Sequence, residues 1–178
     1  IASGCPIIIK PASATPLSTL KFAEIVEQSG WPKEAFSVLP CDRNTGQQLV
    51  EDERIKLLSF TGSPHVGWKM KEQAGKKKVV LELGGDAALI VDKHIDDRDR
   101  VIQRTKIGAF YQAGQSCISV QRIFVHEDVV DTFQDKFLTA VSKMKVGDPM
   151  DENSDIGGVI DEKNTIRLKS WIDNAIDA

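Results

Sequence analysis

The chain has 178 residues, 41% of them hydrophobic, and sets 23 Lys and Arg against 26 Asp and Glu for a formal net charge of −3. That is the composition of a soluble globular protein, long enough for one domain or two small ones with a real core. There is no basic stripe for nucleic acid and no acidic tail. The longest apolar runs, such as Ile7–Ile9 and Ala87–Val91, fall far short of the ~18 residues of a helical membrane span.

Short apolar runs alternate with amphipathic stretches, which predicts βαβ units and a mainly parallel sheet. Pro6–Lys10 reads as a buried strand. Thr15-Pro16 opens a helix, with Thr15 as N-cap and Pro16 as first helical residue. Leu17, Leu20, Ile25 and, less regularly, Phe22 and Val26 give that helix an apolar side, and Ser29-Gly30 ends it. Phe36–Leu39 is a second strand. A turn through Asp42 and Asn44 leads to a short helix at 46–51 and a third strand, Lys56–Phe60. Ser63 caps the next helix, Pro64 starts it, and Gly75 stops it after Ala74. Lys78–Glu82 and Ala88–Val91 are the fourth and fifth strands, separated by Gly84-Gly85, and a boundary between two folding units is expected near residues 85–88. Beyond it come a helix near Asp97–Gln112, a small-residue loop at 113–117, and a strand at Arg122–His126. A helix from Asp128 to about Met144 carries Val129, Phe133, Phe137 and Val141 on one side. A polar loop with four acids follows at 147–158, then a last helix at Asp161–Ile176. The opening, Ile1-Ala2-Ser3-Gly4 followed almost at once by a strand, reads as the start of an excised piece.

Four places could carry chemistry. Phe60-Thr61-Gly62-Ser63-Pro64-His65-Val66-Gly67 is a strand-to-helix turn whose helix N-terminus suits an anion such as a pyrophosphate. Gly62 there permits close backbone approach, although an ordinary capped turn has the same pattern. Lys10 closes the first strand, where open α/β sheets bind ligands, or is a solvated strand-end lysine. Glu82 ends the fourth strand amid apolar residues and glycines, so partial desolvation would suit it to general-base work; an exposed carboxylate is the plain alternative. Cys117, among small polar neighbours in Gly114-Gln115-Ser116-Cys117, reads as a reachable nucleophilic thiol. Cys5 and Cys41 flank apolar strands and read as structural. Three cysteines without a C-x-x-C, and His65, His94 and His126 without partners at ligand spacing, argue against a disulfide scaffold or a metal site. They point to a reducing cytoplasm.

Taken together, the motifs Lys10-Pro-Ala-Ser-Ala-Thr-Pro16, Phe60-Thr-Gly-Ser63, Glu82-Leu-Gly-Gly85, Gly114-Gln-Ser-Cys117 and Val146-Gly-Asp-Pro149 resemble the aldehyde dehydrogenase superfamily. They stand in the family's order, with 35 residues from Glu82 to Cys117, and the resemblance covers essentially the whole chain. It implies an internal fragment: residues 1–85 as the second half of a Rossmann-like, parallel-sheet NAD(P)-binding domain, and 86–178 as the start of an α/β catalytic domain. The implied reaction is oxidation of an aldehyde to a carboxylic acid with NAD or NADP. Cys117 attacks the carbonyl, its backbone N–H helps hold the oxyanion, and Glu82 activates the water that hydrolyses the resulting thioester. Lys10 is implied at the adenosine ribose, Gly62 and Ser63 at the pyrophosphate, Val66 beside the adenine, and Leu83 at the nicotinamide end.

Some positions depart from the family pattern. Ser13 stands where many NAD-preferring members carry Glu, which removes a carboxylate that would repel a 2′-phosphate and so admits NADP. Cys41 and Arg43 replace glycines usual in the adenine-side loop, and Asp86-Ala87-Ala88 replaces the usual residues after Gly-Gly. The family's Pro-Trp-Asn and E-x-F-G-P motifs lie outside the chain, so the isolated piece is expected to be inactive, and its full-length parent to be a homodimer or homotetramer. A CoA-acylating semialdehyde dehydrogenase is a competing reading, against which Glu82 argues. A non-catalytic nucleotide-binding member is another, against which Cys117 and Glu82 together argue.

Overall fold

The computed structural model describes residues 2–178. It divides into two compact units, the first ending at Glu82 and the second spanning Leu83–Ala178.

The first unit holds two βαβ elements. β1 (Ile7–Ile9), α1 (Leu17–Gln28) and β2 (Phe36–Val38) form one, with β1 and β2 parallel and Ile8 opposite Ser37. A short 3-10 turn, Lys33–Ala35, feeds β2. Helix α2 (Arg43–Glu51) then leads to the second element, β3 (Leu57–Thr61), α3 (Pro64–Gln73) and β4 (Lys78–Glu82), again parallel, with Thr61 opposite Glu82. The core here is small: Val26, Val50 and Ala74 are buried, as are Gly46 on α2 and Gly67 on α3.

The second unit opens with a third parallel βαβ element, β5 (Ala87–Val91), α4 (Arg98–Phe110) and β6 (Val120–Val125). Its ladder carries an irregularity between Ala87 and Ala88. Helices α5 (Val130–Ser142) and α6 (Glu162–Ile176) complete it. Val91, Ile102 and Val129 are buried. Phe110, Phe137 and Phe133 stack in series between α4 and α5, with ring centroids 6.4 and 5.8 Å apart. Thr105, also buried, satisfies its hydroxyl by donating to the Val101 carbonyl at 2.8 Å.

The expected alternation of strand and helix is present, but not as one sheet: among the described residues the six strands form three separate two-stranded parallel pairs. Helix α1 begins later than its sequence suggests. Thr15 makes no side-chain cap. Pro16 is already in the helical region, and its carbonyl accepts the Leu20 N–H at 3.0 Å, so Pro16 itself is the capping residue. Helix α2 begins three residues earlier than read, because Asp42 is its cap and accepts the Thr45 N–H at 2.7 Å. The apolar side of α1 is periodic as expected, yet only Val26 on it is buried. Leu17, Leu20, Phe22 and Ile25 are exposed.

Ser63, Asp97 and Asp161 cap α3, α4 and α6 through side-chain oxygens that accept the N–H three residues on. Hydrogen bonds from Thr45 hold the Asp42 carboxyl below the ordinary carboxylate range, and those from Asn164 do the same for Asp161. Arg54 lowers Asp52, and Asn153 lowers Asp151. Each of these groups binds its proton more weakly folded than unfolded, so its stabilising contribution is in place above the ordinary range and is lost as pH falls through the depressed folded value. The urea midpoint is therefore expected to drop between about pH 5 and about pH 3. A midpoint that stays level over that interval would count against these hydrogen bonds.

No helix among the described residues is long and apolar enough to cross a membrane.

Candidate active site

In the first unit the candidate residues gather around two strand ends. Lys10 follows β1 directly and is half-buried. Its ammonium donates to the Pro11 carbonyl at 3.1 Å. Its aliphatic stem lies on Gly46 of α2: a methyl at that position would come within 2.8 Å of Lys10 Cδ and 3.0 Å of Cε. The glycine thus makes the groove along which the lysine runs, and leaves its charged head at the carboxyl end of the strand pair. Ser13 is exposed in the turn before α1.

The second cluster is the β3–α3 turn. Ser63 Oγ accepts the Val66 N–H at 3.4 Å, so its own hydroxyl proton remains available to donate to an anionic oxygen. The first N–H groups of α3 have no intrahelical partners, and the helix dipole adds positive character there. Gly62 sits under the Phe60 ring, where a methyl would come within 2.5 Å of Cζ. Val66 is half-buried on the first turn of α3. Gly62 also donates its N–H to the Glu82 carbonyl at 3.0 Å. That bond carries the β3–β4 ladder one residue past its end and ties the turn to the backbone of Glu82. The donor set, a lysine head, a capping hydroxyl and helix-terminal N–H groups, has the chemistry to hold a dinucleotide's ribose and pyrophosphate.

Glu82 itself is exposed. The desolvation expected for its carboxylate is absent, because β4 alternates exposed and half-buried positions and Glu82 falls on the exposed side, with only β3 beside it.

In the second unit, Leu83 is half-buried and Cys117 is an exposed free thiol. Cys5 is exposed and free as well, rather than packed, and Cys41 is half-buried. Cys117 is the second residue of a turn closed by Ser119 N–H donating to the Ser116 carbonyl at 3.2 Å. The approach to that turn departs from the plain loop read in the sequence. Residues 111–114 form a kinked turn in which Gln112 and Ala113 take φ of 53° and 54°, the left-handed region that favours glycine.

Side chains brace the turn. The Tyr111 hydroxyl is hydrogen-bonded to Ser116 Oγ, and Ser119 Oγ donates to the Gly114 carbonyl at 3.2 Å. Gln115 Oε1 accepts the Ile160 N–H at 2.9 Å, from the segment ahead of α6. Neither Gly46 nor Tyr111 stood out in the sequence, and Gln115 and Ser116 were read only as small polar neighbours of Cys117 within its motif. The Tyr111 and Ser116 spacing has no characteristic pattern, and the other contacts join distant positions.

Among the described residues no group of His, Cys, Asp and Glu is arranged to hold a metal ion.

The whole chain, residues 1–178, matches the aldehyde dehydrogenase family. The chain belongs to that family. Its fold superposes with a TM-score of 0.94 on aldehyde dehydrogenase 21 from Physcomitrella patens, solved with its reaction product succinate. The two are 47% identical over 99% of this chain and 37% of that one. It is 40% identical to 3-sulfolactaldehyde dehydrogenase from Priestia aryabhattai and 38% identical to the NADP(+) succinate-semialdehyde dehydrogenase GabD of Escherichia coli (strain K12). Each of these matches covers 99% of this chain and 37% of the relative. This aldehyde dehydrogenase family chain therefore spans a little over a third of the length of the relatives it matches.

Proposed function

We propose that the chain is the part of an NAD(P)-dependent aldehyde dehydrogenase that carries both the nucleophile and the general base of a hydrolytic mechanism. The observation that carries this reading is Cys117: an exposed thiol presented at the second position of a tightly braced turn, in a member of this family. Residues 1–85 are assigned to the cofactor-binding domain and 86–178 to the first part of the catalytic domain. The working enzyme is a cytoplasmic homodimer or homotetramer.

Cys117 as thiolate adds to the aldehyde carbon, and its own N–H faces the oxygen on which charge develops. When bound, the oxidised nicotinamide supplies the hydride acceptor. Lys10 holds the adenosine ribose, Gly62 and Ser63 the pyrophosphate, Val66 the adenine side, and Leu83 the nicotinamide end through its backbone. Glu82 takes a proton from water, which attacks the Cys117 thioester and releases the carboxylic acid. Glu82's exposure in this unit leaves its carboxylate accessible to water.

The test is turnover by the full-length protein, followed at the reduced-nicotinamide absorbance with a panel of aldehydes, with NAD or NADP, and with or without CoA. Aldehydes bearing an acidic group come first, since relatives are named for 3-sulfolactaldehyde and succinate semialdehyde. Turnover without CoA is expected. Turnover only with CoA would remove the hydrolytic role from Glu82, and cofactor binding with no turnover would make this a nucleotide-binding member.

Ser13 gives a second expected result. Ser13→Glu places a carboxylate where a 2′-phosphate would lie, and like charges brought together cost several kcal/mol. The NADP to NAD ratio of kcat/KM should fall by at least ~10-fold. An unchanged ratio would remove Ser13 from the cofactor site.

A further inference from the structure

Gly85 lies two residues ahead of β5, and Cys117 three residues ahead of β6. The two strands pair in parallel with Ala87 opposite Val120, so the approaches to both strands run side by side. A β-carbon on Gly85 would fall on the carbonyl oxygen of Cys117, 3.0 Å from its carbonyl carbon and 3.7 Å from its Cα. The obstacle is backbone, which cannot swing aside as a side chain can.

Gly85 is not among the glycines with positive φ, which are Gly4, Gly30, Gly75 and Gly114. An L-residue could therefore adopt its backbone angles, and the requirement for glycine is one of space. The residue after Gly85 is held as well. Arg122, on β6, donates from Nε to Asp86 Oδ1 at 2.9 Å and from its terminal nitrogen to the Asp86 carbonyl at 3.0 Å. That clamp fixes the residue next to Gly85 against the strand that follows Cys117.

From this geometry we infer that Gly85 is a positioning residue for the nucleophile. Its bare Cα forms the wall against which the Cys117 peptide rests, while the Arg122–Asp86 clamp holds that wall in place. The braces from Tyr111 and Ser119 hold the turn from within its own loop, and Gly85 limits it from outside. The inference rests on the proposed role of Cys117, and its test separates the two.

Gly85→Ala is made in the full-length protein, with Gly158→Ala as control, since Gly158 has open space around it and no positive φ. A displacement of about 1 Å in a reacting group costs on the order of 100-fold. For Gly85→Ala, kcat should therefore fall by about 100-fold while the cofactor dissociation constant stays within about twofold. Amide hydrogen exchange across residues 112–122 should quicken by about tenfold, as expected for a turn that has lost its wall. The control should change none of these.

Unchanged exchange in 112–122 would overturn the inference whether or not the protein oxidises aldehydes. Quickened exchange in a protein without aldehyde activity would uphold the contact and defeat the functional reading instead. If Gly85→Ala does not fold, Asp86→Ala decides. It removes one of the two Arg122 bonds at an exposed site, and should quicken exchange across residues 112–122 by about threefold with cofactor affinity intact. Unchanged exchange there would overturn the inference.

Discussion

Cys117→Ser in the full-length protein should abolish aldehyde oxidation, with a fall in kcat of at least ~10³-fold, while cofactor affinity is unchanged. The substitution exchanges sulfur for oxygen and keeps the shape of the side chain. What changes is the nucleophile: a hydroxyl at neutral pH is scarcely ionised, whereas a cysteine is partly thiolate and intrinsically far more reactive. The turn should survive, because its closing bonds run between Ser116, Ser119, Gly114 and Tyr111 and none uses the Cys117 sulfur. Cofactor contacts are assigned mainly to residues of the first unit, so binding measured by fluorescence quenching should match the wild type. A serine variant that retained a tenth or more of the wild-type rate would exclude covalent catalysis by Cys117.

Glu82→Gln should split the reaction in two. If Glu82 acts only on the water that hydrolyses the thioester, the variant still completes the first half. Mixing it with substrate and cofactor should give a rapid burst of about one equivalent of reduced nicotinamide per site. A steady rate lowered by ~10² to 10⁴-fold should follow, the range that a positioned base contributes. Mass spectrometry of the quenched variant should find the acyl group on Cys117. Glutamine keeps the size of the side chain and cannot accept the proton, and the Glu82 main-chain bond to Gly62 is untouched. Loss of the burst together with the steady rate would place Glu82 in the first half of the reaction, as the base that ionises the thiol.

What could be read from the sequence was what depends on neighbours in the chain. Ser63 reads as the cap of α3 and accepts the N–H three residues on, Asp97 and Asp161 mark where α4 and α6 open, and β4 was legible to its exact ends. At α1 the start lies one residue later than read, with Pro16 rather than Thr15 at the N-cap position and no side-chain capping bond. The apolar side of α1 shows the limit of periodicity, which identifies a face and not what covers it. Leu17 is 77% exposed despite standing on that face.

Within the candidate site, Lys10, Ser63, Glu82 and Cys117 were singled out from residue type and motif. Their supports were not, because those supports are long-range. Gly46 meets Lys10 and Gly85 meets Cys117 across more than thirty residues, and a glycine that serves to make room looks in sequence like any other. The left-handed Gln112 and Ala113 were hidden for the opposite reason, since their residue types disfavour the conformation the turn imposes.

The three separate strand pairs also govern how this chain behaves as a material. Each pair offers unpaired backbone edges, and Leu57, Val80, Ile90 and Phe124 stand exposed on the strands themselves. Open edges beside apolar side chains are templates for further strands. With a net charge of only −3, long-range repulsion between copies is weak and heavily screened at physiological salt. Produced alone, the chain is poised for concentration-dependent self-association. The same unpaired edges are the surfaces on which a longer polypeptide could extend these pairs into broader sheets.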